Sequence, residues 1–162
     1  MPNWCRNDLD IVGQENVVND FIEVAKLEID EGIVPLCFAN LYPEPDYDKN
    51  PSEDSSVMPD WYNWRIENWG TKWDLDINTQ FDSGIGWASY VFDTAWSPPL
   101  ELFDVVAGDY PALKFTLTFG EMGMWFSGRT VWQTGKRFSH IEGEYEAFFP
   151  EEAEQLLEYS EE

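Results

Sequence analysis

The order in which one hydrophobic period gives way to another most narrows the fold of this chain. Between Asp8 and Val12 polar and apolar residues alternate, with Leu9 and Ile11 on one side, and Gly13 closes the run. Period-two alternation puts one face of a strand in a core and leaves the other to water. From Asn16 to Ile29 the spacing becomes helical: Val17, Val18, Phe21, Ile22, Ala25 and Ile29 share a face, and Gly32 sits beyond the end. A second alternating run, Lys72 to Phe81, sets Trp73, Leu75, Ile77 and Phe81 against Asp74, Asp76, Asn78 and Gln80, and predicts the cleanest strand in the chain. Ser83-Gly84 reads as a turn. Trp87 to Trp96 is apolar at nearly every position, the pattern of a strand covered on both faces. Ser97-Pro98-Pro99 pairs a hydroxyl cap with proline at a helix start, and Leu100, Phe103, Val106 and Ala107 form the predicted buried stripe behind it. Leu113, Phe115, Leu117 and Phe119 then alternate with Lys114, Thr116 and Thr118 in a fourth strand. The order βαββαβ predicts an α+β ferredoxin-like sandwich, an antiparallel sheet with helices on one face.

Met124 to Phe138 predicts an extra C-terminal hairpin turning near Thr134-Gly135-Lys136. A chain of 162 residues is expected to form one domain, large enough to bury about 70% of its unfolded surface without disulfides or metal. The expected division is a ferredoxin-like domain over residues 1–140 and an acidic C-terminal tail over 141–162, where Pro150 to Tyr159 reads as a weak helix docked by Leu156 and Leu157. An irregular acidic insertion is expected at about 35–60, broken by Pro43, Pro45, Pro51 and Pro59. After it, Asp60 is placed to cap a short helix, Trp61 to Asn68, closed by Gly70.

Nine Lys and Arg against 32 Asp and Glu leave a net charge of −23. Charge of this size argues for solubility and against phosphate backbones and anionic lipid, and makes a basic protein the natural partner. No run approaches the roughly 18 apolar residues of a membrane span, and the N-terminus has no signal-peptide pattern, so a cytoplasmic setting is expected. Cys5 and Cys37 form no CxxC motif and are expected to be buried free thiols.

Residues 60–74, DWYNWRIENWGTKWD, gather Trp61, Trp64, Trp69 and Trp73 beside Tyr62, Arg65 and Lys72. Three further blocks accompany this one: MPNWC with Asn7 and Gly13; Phe92-Asp93-Thr94-Ala95-Trp96-Ser97-Pro98-Pro99; and Glu121, Gly123, Phe126 and Gly128. Together, over about residues 1–135, they resemble the YubB-like ferredoxin-like domain family carried by bacterial plasmids and phages. The resemblance implies the fold read above and a mobile-element origin in a bacterial host, and it carries no activity and no catalytic residue.

Exposed indoles beside Arg65 and Lys72 could stack on bases or clamp a peptide. Buried, the same rings would plug one edge of the core, and their gross burial energy favours that reading. Gly84, Gly86, Trp87 and Tyr90 loosely fit an RNA-recognition motif, but Ser83 stands where a base is wanted and Ile85 where a stacking ring is wanted. Asp46, Asp48 and Asn50 open like a calcium loop, which Pro51 and Val57 then contradict at its sixth and twelfth positions. His140 is the only histidine, which excludes paired-histidine zinc and catalytic sites within one chain, and no nucleophile, phosphate-loop or dinucleotide motif is present. No catalytic residue, metal site or cofactor is expected. The leading expectation is a non-enzymatic acidic protein that binds a basic partner, with Asp46, Asp48, Glu53, Asp54, Asp74, Asp76, Glu151, Glu152 and Glu154 as contact candidates. The alternative is a ligand- or single-strand-binding sheet using Trp61, Tyr62, Trp64, Arg65, Trp69, Lys72, Trp87 and Tyr90.

Overall fold

The computed structural model describes residues 2–49 and 59–160. Strand β1 (Trp4–Val12) starts earlier than its alternation suggests and buries Cys5, Asn7, Leu9 and Ile11, turning Trp4, Arg6, Asp8, Asp10 and Val12 the other way. Helix α1 (Glu15–Ala25) lays Val18, Phe21 and Ala25 on that buried face. It stops one turn short of the predicted end. The Ala25 carbonyl accepts from Cys37 N–H at 2.7 Å, and the chain leaves as a small hairpin, β2 (Leu27–Ile29) with β3 (Gly32–Val34), so Ile29 is a strand residue exposed to water.

The start of the predicted surface insertion is core. Leu36, Cys37, Phe38 and Leu41 are buried, the last two in the short helix α2 (Phe38–Leu41). Glu53 and Asp54 lie outside the described residues. Helix α3 (Asp60–Asn68) comes next, with Pro59 rather than Asp60 at the N-cap position, and ends as expected at Gly70, whose φ of 84° suits glycine.

The cleanest predicted strand is mostly not one. Residues 72–79 are irregular, and only β4 (Gln80–Gly84) pairs with the sheet. Aspartate side chains compete successfully for the backbone there. Asp74 bonds the N–H groups of Leu75, Phe38 and Ala39, and Asp76 bonds that of Asn78 at 2.9 Å. The hairpin turn falls at Ile85-Gly86, two residues past Ser83-Gly84, and leads into β5 (Trp87–Ala95). This strand alternates, burying Ala88, Tyr90, Phe92 and Thr94, so it is covered on one face and not on both.

Helix α4 (Leu100–Asp109) buries Leu102, Phe103, Val106 and Ala107, while Leu100 is only half-buried. Ser97 does not cap it, since its hydroxyl donates to Gly70 O at 2.6 Å and ties the loop after α3 to the end of β5. Then come β6 (Lys114–Glu121), β7 (Phe126–Gln133) and β8 (Lys136–Glu144). Thr134 and Gly135, at φ 50° and 84°, make the two-residue turn between β7 and β8 with the handedness that tight hairpins require.

The antiparallel sheet runs β4-β5-β1-β6-β7-β8. The chain crosses from β1 over β5 to β4, and through α4 from β5 over β1 to β6, which is the split βαββαβ arrangement with an added hairpin at one edge. Between the crossover helices and the sheet, Phe21 meets Tyr90, Tyr110 and Phe115 edge-on, and Phe103 packs on Phe115 and Trp132. These contacts carry the core.

The boundary expected at 140/141 falls inside β8, and the chain beyond β8 is docked. A 3-10 turn at Tyr145–Ala147 and helix α5 (Pro150–Ser160) pack on the opposite face of the sheet through Tyr145, Phe149 and Ala153, while Leu156 and Leu157 remain 39% and 56% exposed. Gly120 is the seat. A Cβ there would come within 2.6 Å of the Phe149 ring.

Candidate binding surface

Most of the aromatic block is packing. Trp69 is fully buried, its indole N–H donating to Tyr42 O at 3.0 Å, and Trp64 meets both Tyr42 and Trp69 edge-on. Arg65 lies over the rings of Trp61 and Trp69, 5.1 and 4.9 Å from their centroids, and pairs with Glu44 at 2.6 Å. Burial opposes ionisation of Glu44, but hydrogen bonds from Arg65 and the Tyr47 hydroxyl outweigh it and hold the carboxyl below its ordinary range. Tyr62 packs edge-on against Trp61. Five candidates, Trp61, Tyr62, Trp64, Arg65 and Trp69, are thus brought into one cluster whose guanidinium this chain already supplies, and of the five Trp61 alone is exposed.

Trp87 and Tyr90 do not share a face. Three positions apart on a strand, they point oppositely. Trp87 is exposed on the outer face, whereas Tyr90 is fully buried under Phe21, and burial raises its phenol well above the usual value. Trp87 and Tyr90 therefore form no common stacking surface, and the single-strand-binding alternative loses that pair.

The acidic candidates separate just as sharply. Asp74 is an internal strut: its carboxylate accepts from Phe38 N at 2.7 Å and Ala39 N at 3.1 Å, fixing residues 72–79 to the start of α2. Glu152 pairs with Arg6 at 3.5 Å. Asp46 accepts from Asp48 N and stays in water, as do Asp48, Glu151 and Glu154.

What sequence reasoning missed is the outer face of the sheet. By register, Asp8 lies beside Val91 and Thr118, Asp10 beside Ser89 and Thr116, Asp82 beside Ser89, and Asp93 beside Arg6. The alternation in β1 carried the signal for Asp8 and Asp10. For Asp93, set in an apolar-looking run, only the register reveals it. Arg6 turns from Asp93 to Asp8 at 3.0 Å and to Glu152, and it lies over the Phe149 ring.

One end of this face is a cavity of about 660 Å³ between residues 73–80 and the facing ends of β1 and β5. Its walls include the indoles of Trp4 and Trp73, with centroids 5.9 Å apart, and the carboxylates of Asp76 and Asp93. Partial burial and the charges of Asp76 and Asp8 raise the Asp93 carboxyl above its ordinary value against the pull of Arg6. Beside the cavity the Lys72 ammonium sits between Trp73 and Trp96, 4.2 and 4.1 Å from their centroids. Trp96 holds a φ of 68°, costly for a bulky residue, and is pinned by a bond from its N–H to Asn3 O.

Other reactive groups are occupied structurally. His140 bonds Thr130 and Glu142 and stacks on Phe119. Burial pushes the free thiols of Cys5 and Cys37 up to about 12 and about 11, with Glu121 and Asp74 adding to the effect. Among the described residues, no three of His, Cys, Asp and Glu converge to hold a metal, and no helix is long and apolar enough to cross a membrane.

The family profile described as the ferredoxin-like domain in Api92-like protein matches residues 72–158, more than half of the chain. This chain belongs to that family. The crystal structure of a protein Api92 from Yersinia pseudotuberculosis superposes with a TM-score of 0.59 at 11% identity, covering 90% of this chain and 98% of that one. At that identity the likeness is one of fold. No curated protein matches. The match to the Api92-like domain runs from Lys72 through most of α5, so it takes in Trp73, Asp76 and Asp93 but not Trp4 or Arg6. Neither description names a reaction.

Proposed function

We infer that this chain is a non-enzymatic interaction protein of a bacterial mobile element, cytoplasmic in its host, that binds a basic protein by presenting carboxylates where a nucleic acid would present phosphates. The observation that carries this reading is the outer sheet face, where Asp10, Asp82 and Asp93 line adjacent strands beside Asp8, which with Glu152 holds the nearby Arg6. Net charge of −23 extends the same sign over the rest of the molecule and would steer a cationic partner from a distance. The resemblance of four sequence blocks to YubB-like plasmid and phage proteins supports the mobile-element origin.

The test is capture of host-lysate proteins across a salt series, comparing the native protein with Asp8→Lys/Asp10→Lys/Asp82→Lys. Cationic proteins retained at low salt by the native chain alone, and released as salt screens the contact, are the expected result. No cationic protein at low salt, or equal capture by the charge-reversed chain, would overturn the reading. Single-stranded oligonucleotides are expected to leave the tryptophan fluorescence unchanged, and a saturable change would favour the nucleic-acid alternative.

A further inference from the structure

The cavity beside Trp4 is built like two sites that this chain has already filled with its own arginines. Arg65 has a carboxylate, Glu44, at its fork and the rings of Trp61 and Trp69 against its plane. Arg6 has Asp8 at its fork, through Nε at 3.0 Å and Nη2 at 3.4 Å, and the ring of Phe149 against its plane. Asp93 with Trp4 and Trp73 repeats the combination of carboxylate and rings, and the one guanidinium among the cavity's lining residues, that of Arg6, bonds Asp8 and Glu152 instead of Asp93. Its register partner Arg6 is committed elsewhere, and Asp93 makes no hydrogen bond or ion pair with a described residue.

The physics favours that group. A planar guanidinium can bond a carboxylate through two N–H groups while its face lies on an indole, whereas an ammonium satisfies one demand at a time. The neighbouring indole surface already holds a cation, since Lys72 lies against Trp73 and Trp96. Trp4 and Trp73 remain 46% and 38% exposed, large apolar surfaces left beside the Asp93 carboxylate, which no ion pair among the described residues engages. The walls are held firmly, by the bonds of Asp74 to α2, of Thr71 Oγ1 to Ala95 O at 3.1 Å and of Trp96 N–H to Asn3 O at 2.8 Å.

The geometry points to this cavity as the receptor for an arginine side chain of the basic partner, with its guanidinium paired to Asp93 and stacked on the indoles of Trp4 and Trp73. This deepens the proposed function and rests on it. Diffuse charge would hold the partner near the sheet, and the cavity would select one arginine and set the register of the complex.

The experiment is a low-salt calorimetric titration of the full chain with a deca-arginine peptide and with a deca-lysine peptide of equal charge. The native protein is compared with Asp93→Asn, Trp73→Ala and Glu15→Gln. Glu15 lies beyond the far end of β1, so its substitution removes a charge without touching the cavity. Arginine is expected to bind more tightly than lysine. Asp93→Asn should weaken arginine binding about tenfold, as loss of a charged hydrogen-bonded pair does. Trp73→Ala should weaken it about threefold, and Glu15→Gln by less than twofold. Equal losses for Asp93→Asn and Glu15→Gln, or equal affinity for both peptides, would overturn the arginine site while leaving the basic-partner reading intact. Failure of the native protein to bind either peptide would remove both. Asp93→Asn nearly preserves side-chain shape on an outward-facing position, so a folded variant is available whatever Trp73→Ala does.

Discussion

Replacing Asp74 by alanine should destabilise the protein by about 3 kcal/mol while Asp8, Asp10, Asp82 and Asp93 stay in place on the sheet strands. Asp74 accepts from Phe38 N at 2.7 Å, Leu75 N at 2.8 Å and Ala39 N at 3.1 Å, and the Cys37 thiol lies 3.6 Å away. A hydrogen bond to a charged group contributes roughly 1.5–3 kcal/mol net, and loss of a capping side chain costs about 1 kcal/mol. Water can reach part of the vacated site, so the bonds do not add in full. At about 2–4 °C per kcal/mol for a chain of this size, the melting temperature should fall by about 6–12 °C. Asp74→Asn keeps one acceptor oxygen and should cost about half as much. Urea denaturation at pH 7 measures the loss directly, and a changed midpoint at constant slope would locate it in the native state. A cost under about 1 kcal/mol for Asp74→Ala would refute the strut. So would a variant that keeps full stability and loses affinity for a cationic partner, since Asp74 would then be a contact residue.

Asp93→Asn should do the opposite and raise the melting temperature at pH 7. Burial together with Asp76 and Asp8 raises the native carboxyl, so the folded state favours its protonated form and is penalised by the charge at neutral pH. The gain should fade as pH falls through the raised native value and be gone below about 4, where the carboxyl is protonated in the folded and the unfolded chain alike, and scanning calorimetry at pH 7 and pH 3.5 checks both halves. No gain at pH 7 would contradict the assignment. In the native protein at pH 8, a thiol reagent should label neither Cys5 nor Cys37, because both thiols are buried and titrate above that pH, at about 12 and about 11. Both should react once urea unfolds the chain, and rapid native labelling would show that the Cys37 cover is loose.

Secondary structure was legible where one force decided it. The alternation of Leu9 with Ile11, and of Leu113 through Phe119, survives because each strand sends its large apolar side chains to the same dry face under the crossover helices. Thr134-Gly135 announced its turn because the backbone there needs positive φ. The reading of 72–81 failed because alternation reports only that a strand is compatible, while Asp74 and Asp76 offered backbone N–H groups a better acceptor than a neighbouring strand. The helix predicted to Ile29 stopped at Ala25 because Cys37, twelve residues on, bonded its last carbonyl.

Local order along the chain was enough to establish the βαββαβ succession, the predominance of acid and the aromatic wealth of the core, since each depends on residues near one another in sequence or on simple counting. Which carboxylates face outward together was a different matter. Asp8, Asp82 and Asp93 are far apart in the chain and meet only through strand register, and Trp4 reaches Trp73 only because the sheet brings the start of β1 to the segment before β4. Pairing of distant segments assembles that surface, and no local pattern encodes which distant segment a strand will choose.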